Sequence, residues 1–262
     1  MTKPYVIYRT NTPPRLDGRA DSPNWQHAPR SPRFVDMITG GPAILGTTAA
    51  ALWDDQALYV AFWVEEPFPT ARLTERDALI FQENDVEVFI DTGDAYYEFE
   101  MNARNTVYEV LFVWQDALHL VESAQFDLRQ AIAFGGNFDR TEAHFWRGTH
   151  PRGLRWAFTG YDLPGLHSAT HIDGVLNDPS SVSRGWTAEI AFPWAGMRRW
   201  AGDKMIPPRD GDEWRIFFGR FQKLHLGNQT HSAAWSWDVI GSTDNHLPER
   251  FTAVQFSGEV AG

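Results

Sequence analysis

The chain has 262 residues, a formal net charge of −11 and no cysteine. An acidic surface repels nucleic-acid phosphates, so no nucleic-acid partner is expected, and without cysteine there can be no disulfide and no thiolate-bound metal. The 12 Trp, 18 Phe and 7 Tyr residues are enough to build a core and to leave some rings for stacking on a ligand.

Targeting signals are missing from the sequence. No run approaches the roughly eighteen apolar residues of a membrane span, so no membrane partner is expected. The amino-terminal segment MTKPYVIYRTNTPP lacks the apolar region of a secretory signal peptide. The expected location is therefore the cytoplasm, or the exterior if a leader has been trimmed from the chain.

Short apolar or alternating runs follow one another along the chain, separated by turn residues. Ser22 and Pro23 predict a single helical turn that carries Trp25 inward. Strands are predicted at 47–53, 58–64, within 84–102, and at 106–114, 154–158, 167–176, 185–192, 213–222, 234–237 and 251–256. Residues 115–152 are predicted as a long excursion with a short strand or two, 194–200 as a short helix, and 223–232 as a polar loop.

This pattern predicts an all-β fold. Short strands without a sustained helical period are typical of an antiparallel β-sandwich, here jelly-roll-like with short helical turns and long loops. Because there is no repeat, low-complexity tract or linker, residues 1–262 are predicted to form a single domain.

The segment Asn84–Asn102, with the sequence NDVEVFIDTGDAYYEFEMN, organises the rest. It predicts two strands joined by a glycine-containing turn. Val86, Val88 and Ile90 share one face, whereas Glu87 lies on the other, and Glu100 and Asn102 share a polar face on the return strand. One side of this hairpin therefore belongs to a core, and the other meets something polar.

Several further segments, taken in order, resemble family 9 carbohydrate-binding modules and the wider family 9-like group. They are LDG (16–18), NW (24–25), LWDD (52–55), LYV (58–60), DVEVFID (85–91), DG with LN (173–177), GWTAEIAFPW (185–194) and HLPERF (246–251). The resemblance covers nearly the whole chain. It implies a β-sandwich that binds sugars, in the true modules at the end of a polysaccharide chain, together with structural calcium.

The resemblance also implies a sugar-binding site, although this chain departs from the family at several of the site's positions. The modules hold a sugar ring between two tryptophans, and at those positions this chain has Phe81 and Asn245. The strand glutamate that bonds sugar hydroxyls is kept as Glu87, whereas a basic residue of the next strand is replaced by Glu100.

Further candidate ligand-binding residues follow from residue type and position, and each has a purely structural alternative. Arg220 could donate bidentate hydrogen bonds to two sugar hydroxyls, or it could simply neutralise Glu87 or Glu100. Trp235 could supply a stacking plate or cap the core. His246 lies in a loop before Pro248, where it could contact a ligand or serve the loop alone. Glu87, Glu100 and Asn102 could equally form an ordinary solvated strand face.

Calcium donors are harder to choose. Asp17, Asp36, Asp54 and Asp55 lie in predicted turns and offer oxygen ligands, but turn aspartates more often bond their own backbone. No metal ligand is assigned from the sequence.

The preferred function is non-catalytic carbohydrate binding, with a mono- or oligosaccharide held on the polar sheet face by aromatic stacking and by carboxylate and arginine hydrogen bonds. Two alternatives stay open. One is a glycan-active enzyme that uses Glu87 and Glu100 as a carboxylate pair. The other is a haem-binding electron-transfer domain, with Met101 or a histidine as axial ligand.

Overall fold

The computed structural model describes residues 3–117, 119–120, 126–135 and 150–261. Within them the chain forms fourteen strands and two short α-helices. The strands are β1 (Tyr5–Arg9), β2 (Val35–Asp36), β3 (Thr47–Trp53), β4 (Ala57–Glu65), β5 (Asp85–Asp91), β6 (Ala95–Met101), β7 (Val107–Trp114), β8 (Ile132–Gly135), β9 (Leu154–Phe158), β10 (His167–Asp173), β11 (Gly185–Pro193), β12 (Glu213–Leu226), β13 (Gln229–Ser236) and β14 (Thr252–Val260). The helices are α1 (Pro23–His27) and α2 (Trp194–Met197).

The strands follow one hydrogen-bonded path that folds back on itself. Its order is β10-β11-β4-β3-β1-β14-β12-β5-β6-β7-β9-β8, and β13 and β2 extend from β12. The two halves of the path face each other across an aromatic core. Ring centroids lie 6.4 Å apart for Phe62 of β4 and Phe218 of β12, and 5.2 Å apart for Phe99 of β6 and Phe192 of β11. The predicted all-β sandwich is confirmed.

One strand departs from the antiparallel expectation. β1 runs parallel to both β3 and β14, whereas the other pairs of the path are antiparallel. Parallel neighbours need a crossover connection and cannot be joined by a tight hairpin turn. β1 is joined to β3 by 37 intervening residues, from Thr10 to Gly46, and lies far in sequence from β14. Nothing local in the run YVIY indicates this pairing.

A buried carboxylate links three of the segments on which the sequence resemblance depends. Glu189 of β11 is fully buried and accepts hydrogen bonds from the backbone nitrogens of Asp17, at 3.1 Å, and Gly18, at 2.7 Å. Its other oxygen accepts from the indole nitrogen of Trp25 in α1, at 2.7 Å. Gly18 has φ of +84°, and a Cβ there would lie 2.2 Å from the backbone of Thr170. These segments therefore close the fold together.

The predicted polar loop at 223–232 is wrong, because most of it is strand. β12 continues to Leu226, and β13 begins at Gln229, so the two strands form a long hairpin. Gly227 at the turn has φ of +61°. Near the turn, Gln229, Thr230 and His231 are exposed. Polar residues and a glycine dominate this segment, and such a composition is typical of a loop.

The hairpin of β5 and β6 has the two faces that the sequence predicts. Val86, Val88 and Ile90 are fully buried in the main core. The opposite face carries the carboxyl side chains and points away from that core, towards the segment before β14. None of the helices in the described residues is long and apolar enough to cross a bilayer.

Candidate functional site

The carboxyl face of β5 and β6 is buried, so the alternative of an ordinary solvated strand face is wrong for Glu87 and Glu100. Glu87 stands directly opposite Glu100 in the strand register, and Phe89 stands opposite Glu98. The three glutamates are exposed by 5 % or less. The segment before β14 covers them: Asn245 donates from Nδ2 to Glu87 Oε2 at 2.9 Å. The protein's own chain, at Asn245 and His246, therefore covers this face like a roof. A gap remains between this covering segment and the carboxyl side chains, which form the floor.

That gap is a cavity of about 270 Å³. Its polar wall consists of Glu87, Glu98, Glu100, Thr159, Asn245 and His246. Its apolar wall consists of Leu79, Phe81, Tyr108, Val110, Phe112, Ile132, Phe134, Ala157 and Phe221. Two larger grooves, of about 510 and 710 Å³, lie elsewhere on the described surface and include none of the site residues predicted from the sequence.

Five predicted site residues, from two regions that are distant in sequence, come together around this cavity. They are Phe81, Glu87, Glu100, Asn245 and His246. Phe81 lies in a short 3₁₀ turn just before β5, and its ring packs edge-on against Tyr108, with centroids 5.8 Å apart. Two half-buried aromatic rings therefore stand beside a group of carboxyls, which is the combination a sugar ring requires.

Arg220 and Trp235 lie elsewhere, on the core side of the sheet. The register pairs Arg220 with Val86, and pairs Gly219 with Glu87, so Arg220 and Glu87 point to opposite faces. Arg220 is 1 % exposed, with its guanidinium 5.0 Å from the ring centre of Trp235. It therefore neither forks a ligand in the cavity nor pairs with Glu87, and Trp235 belongs to the core.

Asn102 also has a local role away from the cavity. Its side-chain oxygen accepts from the backbone nitrogens of Arg104 and Thr106, both at 3.0 Å. Its amide nitrogen donates to the carbonyl of Leu73, at 3.0 Å. The residue shapes the turn between β6 and β7 and anchors the preceding connector. Met101 is fully buried in the core, on the opposite face from Glu100.

Sequence reasoning missed four lining residues that the geometry makes prominent. Glu98 has the same strand parity as Glu100, so alternation alone could have found it. Tyr108 opposes Glu100 in the register of β6 and β7. Phe221 opposes Asp85, and its half-buried ring lines the cavity, whereas the side chain of its neighbour Arg220 points to the opposite face. Phe134 gave no signal, since it lies in the excursion at 115–152, parts of which fall outside the described residues.

The electrostatics of the cavity floor follow from burial. Burial raises the pKa of Glu87 and Glu100 well above the ordinary range, and neighbouring carboxyls push both in the same direction. Burial raises the pKa of Glu98 to about 7. The Asn245 amide partly offsets the shift at Glu87, because its hydrogen bond favours the ionised form. Without a bound cation, carboxyls of this group hold protons near neutral pH and can donate as well as accept hydrogen bonds.

A buried arginine holds His246 in place. Arg155 of β9 is fully buried and donates from Nη1 to the carbonyl of His246 at 2.9 Å. The hydroxyl of Tyr96 lies 3.1 Å from Nδ1 of His246. Asp244 accepts from the backbone nitrogen of His246 at 2.9 Å. Burial, with a smaller contribution from Arg155, lowers the pKa of His246 well below 6.5.

This shift gives a pH prediction. His246 stays neutral in the folded state, whereas in the unfolded state it takes up a proton below about pH 6.5. Its contribution to the free energy of unfolding is therefore complete above about pH 6.5 and is lost as pH falls. The loss is at most about 1.4 kcal/mol per pH unit. The buried glutamates of the cavity act in the opposite direction, so we compare wild type with His246→Asn by urea denaturation between pH 7.5 and 5. Wild type should lose stability more steeply; parallel curves would contradict the assignment.

The aspartates considered as calcium donors are engaged by the protein itself. Asp36 accepts from the backbone of Ile38 and Thr39. Asp54 accepts from the backbone of Gln56 and Ala57 and from the hydroxyl of Tyr59. Asp17 pairs with Arg15, and Asp55 pairs with Arg9. Each of these aspartates therefore has a partner within the protein, and in the described residues they do not form a group of three potential metal ligands.

Comparisons with known proteins agree with this architecture. Residues 16–131 match the family model described as carbohydrate family 9 binding domain-like. No protein of curated function is matched. Among solved structures, a family 9 carbohydrate-binding module from Caldicellulosiruptor kristjanssonii in complex with cellotriose is 15 % identical, with a TM-score of 0.53, over 97 % of this chain and 94 % of that one. The same organism's module in complex with glucose has a TM-score of 0.52 at 15 % identity, over 97 % and 96 % of the two chains.

A third similar structure comes from Bacteroides uniformis and is described as a candidate carbohydrate-binding protein. It is 13 % identical, with a TM-score of 0.57, over 96 % of this chain and 97 % of that one. At these identities the solved structures establish the fold, and the family model supplies the sequence relationship. The resemblance predicted from the order of the motifs is therefore confirmed: this chain is similar to the family 9-like carbohydrate-binding domains in sequence over residues 16–131, and in fold over nearly its whole length.

Proposed function

We propose that the protein binds carbohydrate in the cavity above β5 and β6, without transforming it. The observation that carries the proposal is the convergence, in one cavity, of half-buried rings with a floor of carboxyl and amide groups. Sugars present apolar ring faces and pairs of hydroxyls, so they need both kinds of contact at once.

The shape of the cavity suggests the size of the ligand. About 270 Å³ is at or below the small end of the range for ligand pockets, which favours a monosaccharide or the end of a short chain. The rings of Phe81, Tyr108 and Phe221 supply the stacking surfaces. Glu87 and Glu98 supply hydrogen-bonding groups that burial holds close to their protonated forms.

The floor supports binding better than glycosidic bond cleavage. Glycoside hydrolases separate the pKa values of two carboxyls, so that one is an acid while the other stays ionised. Here burial raises the pKa of both Glu87 and Glu100 in the same direction, and the hydrogen bond from Asn245 only partly offsets the shift at Glu87. The pair therefore lacks the asymmetry of an acid and a nucleophile.

Calorimetric titration with a panel of sugars tests the proposal. Glucose and cellotriose come first, because the similar modules from Caldicellulosiruptor kristjanssonii were solved with them, and other neutral, acidic and amino sugars follow. We expect saturable binding by at least one sugar, together with a ligand-dependent rise in Tm. Absence of heat and of any Tm shift across the panel, at tens of millimolar sugar, would refute carbohydrate binding.

A further inference from the structure

Beside the cavity, three carboxyl groups come together without an ion-pair partner in the described part of the chain. Asp85, Glu87 and Glu100 each offer one oxygen, and these three oxygens lie within 4.8 Å of one another. The three side chains are exposed by 2 % or less. Among the described residues, no lysine or arginine forms an ion pair with any of them.

Two oxygens of the group lack any hydrogen-bond partner in the described part of the chain. They are Oδ2 of Asp85 and Oε2 of Glu100. A buried carboxylate oxygen without a partner is costly, so such an atom points to a missing donor or cation. Glu100 lines the cavity, so its carboxyl is within reach of a small ligand that enters there.

We propose that Asp85, Glu87 and Glu100 hold a divalent cation of the calcium type at the floor of this cavity. Carboxylate oxygens select hard cations such as Ca²⁺, Mg²⁺ and Mn²⁺ over metals that prefer nitrogen or sulfur. Two oxygens that share one Ca²⁺ at 2.3–2.6 Å can be no more than about 5 Å apart, and the observed group meets that limit. Water from the cavity completes the coordination.

A sugar ammonium group is the main competitor for the same negative charge. Asp85 distinguishes the two ligands, because it does not line the cavity although its carboxyl is close to those of Glu87 and Glu100. A sugar ring in the cavity does not reach it, whereas a bare ion between the three carboxyls does. The inference deepens the proposed function, since the ion would lie under the sugar, but its test does not depend on sugar.

The test is titration of the chelator-treated protein with CaCl₂, MgCl₂ and MnCl₂ at pH 7.5 and constant ionic strength, in the absence of sugar. We expect one saturable site and a Tm higher by about 5 °C at a hundredfold excess over Kd. Glu100→Gln and Asp85→Asn should each raise the metal Kd at least tenfold. Glu75→Gln, an exposed acid outside the cavity, is the matched control and should leave it unchanged.

Misfolding of the variants can be recognised separately. Glu100→Gln removes a buried carboxyl from an acidic group, so its metal-free Tm should equal or exceed that of wild type. No binding of any of the three cations, or binding that both substitutions leave intact, would overturn the proposal. Binding of glucosamine in preference to glucose, without any metal binding, would overturn it in favour of an ammonium site.

The sugar panel, repeated with and without the cation, separates the two proposals. Sugar binding without metal binding refutes the cation site and leaves carbohydrate binding in place. Metal binding without sugar binding refutes carbohydrate binding and leaves the cation site in place.

Discussion

Arg220→Ala should destabilise the native state by about 3 kcal/mol, the largest stability effect we expect from a single polar side chain. The guanidinium is 1 % exposed and donates to Thr47 Oγ1 at 3.0 Å and to Gln222 Oε1 at 2.6 Å. It also lies 3.9 Å from Glu66, which is 2 % exposed. Truncation leaves that carboxylate without its cation and opens a void beside Trp235.

A matched arginine on the surface supplies the control. Arg184 pairs with Asp173 at 3.3 Å, but its side chain is 88 % exposed, so Arg184→Ala should change stability by less than about 1 kcal/mol. Urea denaturation measures both variants, and Glu66→Gln combined with Arg220→Ala gives the coupling energy. Equal losses in the two arginine variants would contradict the buried network. The sugar affinity of folded Arg220→Ala should match that of wild type, because Arg220 lies on the core face.

Strand parity explains which parts of the site the sequence could reveal. Alternation placed Glu87 and Glu100 on the face opposite Val86, and the register agrees. Alternation cannot show which side chains of a neighbouring strand lie on the same face of the sheet, because the pairing register between strands depends on residues distant in sequence. The sequence therefore suggests that Arg220 neutralises Glu87 or Glu100, whereas Gly219 is the residue that opposes Glu87.

Burial was the second limit on sequence reasoning. A strand with glutamates on one face is typical of a sheet exposed to solvent. Here the segment carrying Asn245 and His246 roofs that face, as the hydrogen bond from Asn245 to Glu87 illustrates. The resemblance placed Asn245 in the site and the loop position suggested His246, but nothing in their sequence predicts a cavity beneath this segment.

The conformation of the β12–β13 hairpin shows a related limit. The segment from 223 to 232 reads as a loop because polar residues and a glycine dominate it, although Leu224 packs against the core. Lys223 Nζ instead bonds Ser232 Oγ at 2.8 Å across the two strands. Paired polar side chains of this kind stabilise a ladder without a hydrophobic signature.

Phe221→Ala should weaken sugar binding about tenfold, which corresponds to about 1.4 kcal/mol. Its half-buried ring contributes to the cavity wall, and the strand register places it on the same face as Asp85. Phe81→Ala should have an effect of similar size, because that ring lies across from the same carboxyl floor and stacks edge-on with Tyr108. The affinity of each variant for the best sugar of the panel is measured by calorimetry well below its Tm.

Two comparisons decide whether such a loss is specific to the cavity. Phe68→Ala removes a ring that is 49 % exposed and lies outside the cavity, so it should leave the affinity unchanged. Trp235→Phe alters the core beside Arg220 and should lower the Tm while leaving the affinity unchanged. If Phe68→Ala weakens binding as much as Phe221→Ala, or if Trp235→Phe alone does so, the sugar lies elsewhere. Binding at the proposed cavity requires that Phe81→Ala and Phe221→Ala lower the sugar affinity, and that Trp235→Phe lower the stability of the protein without changing the affinity.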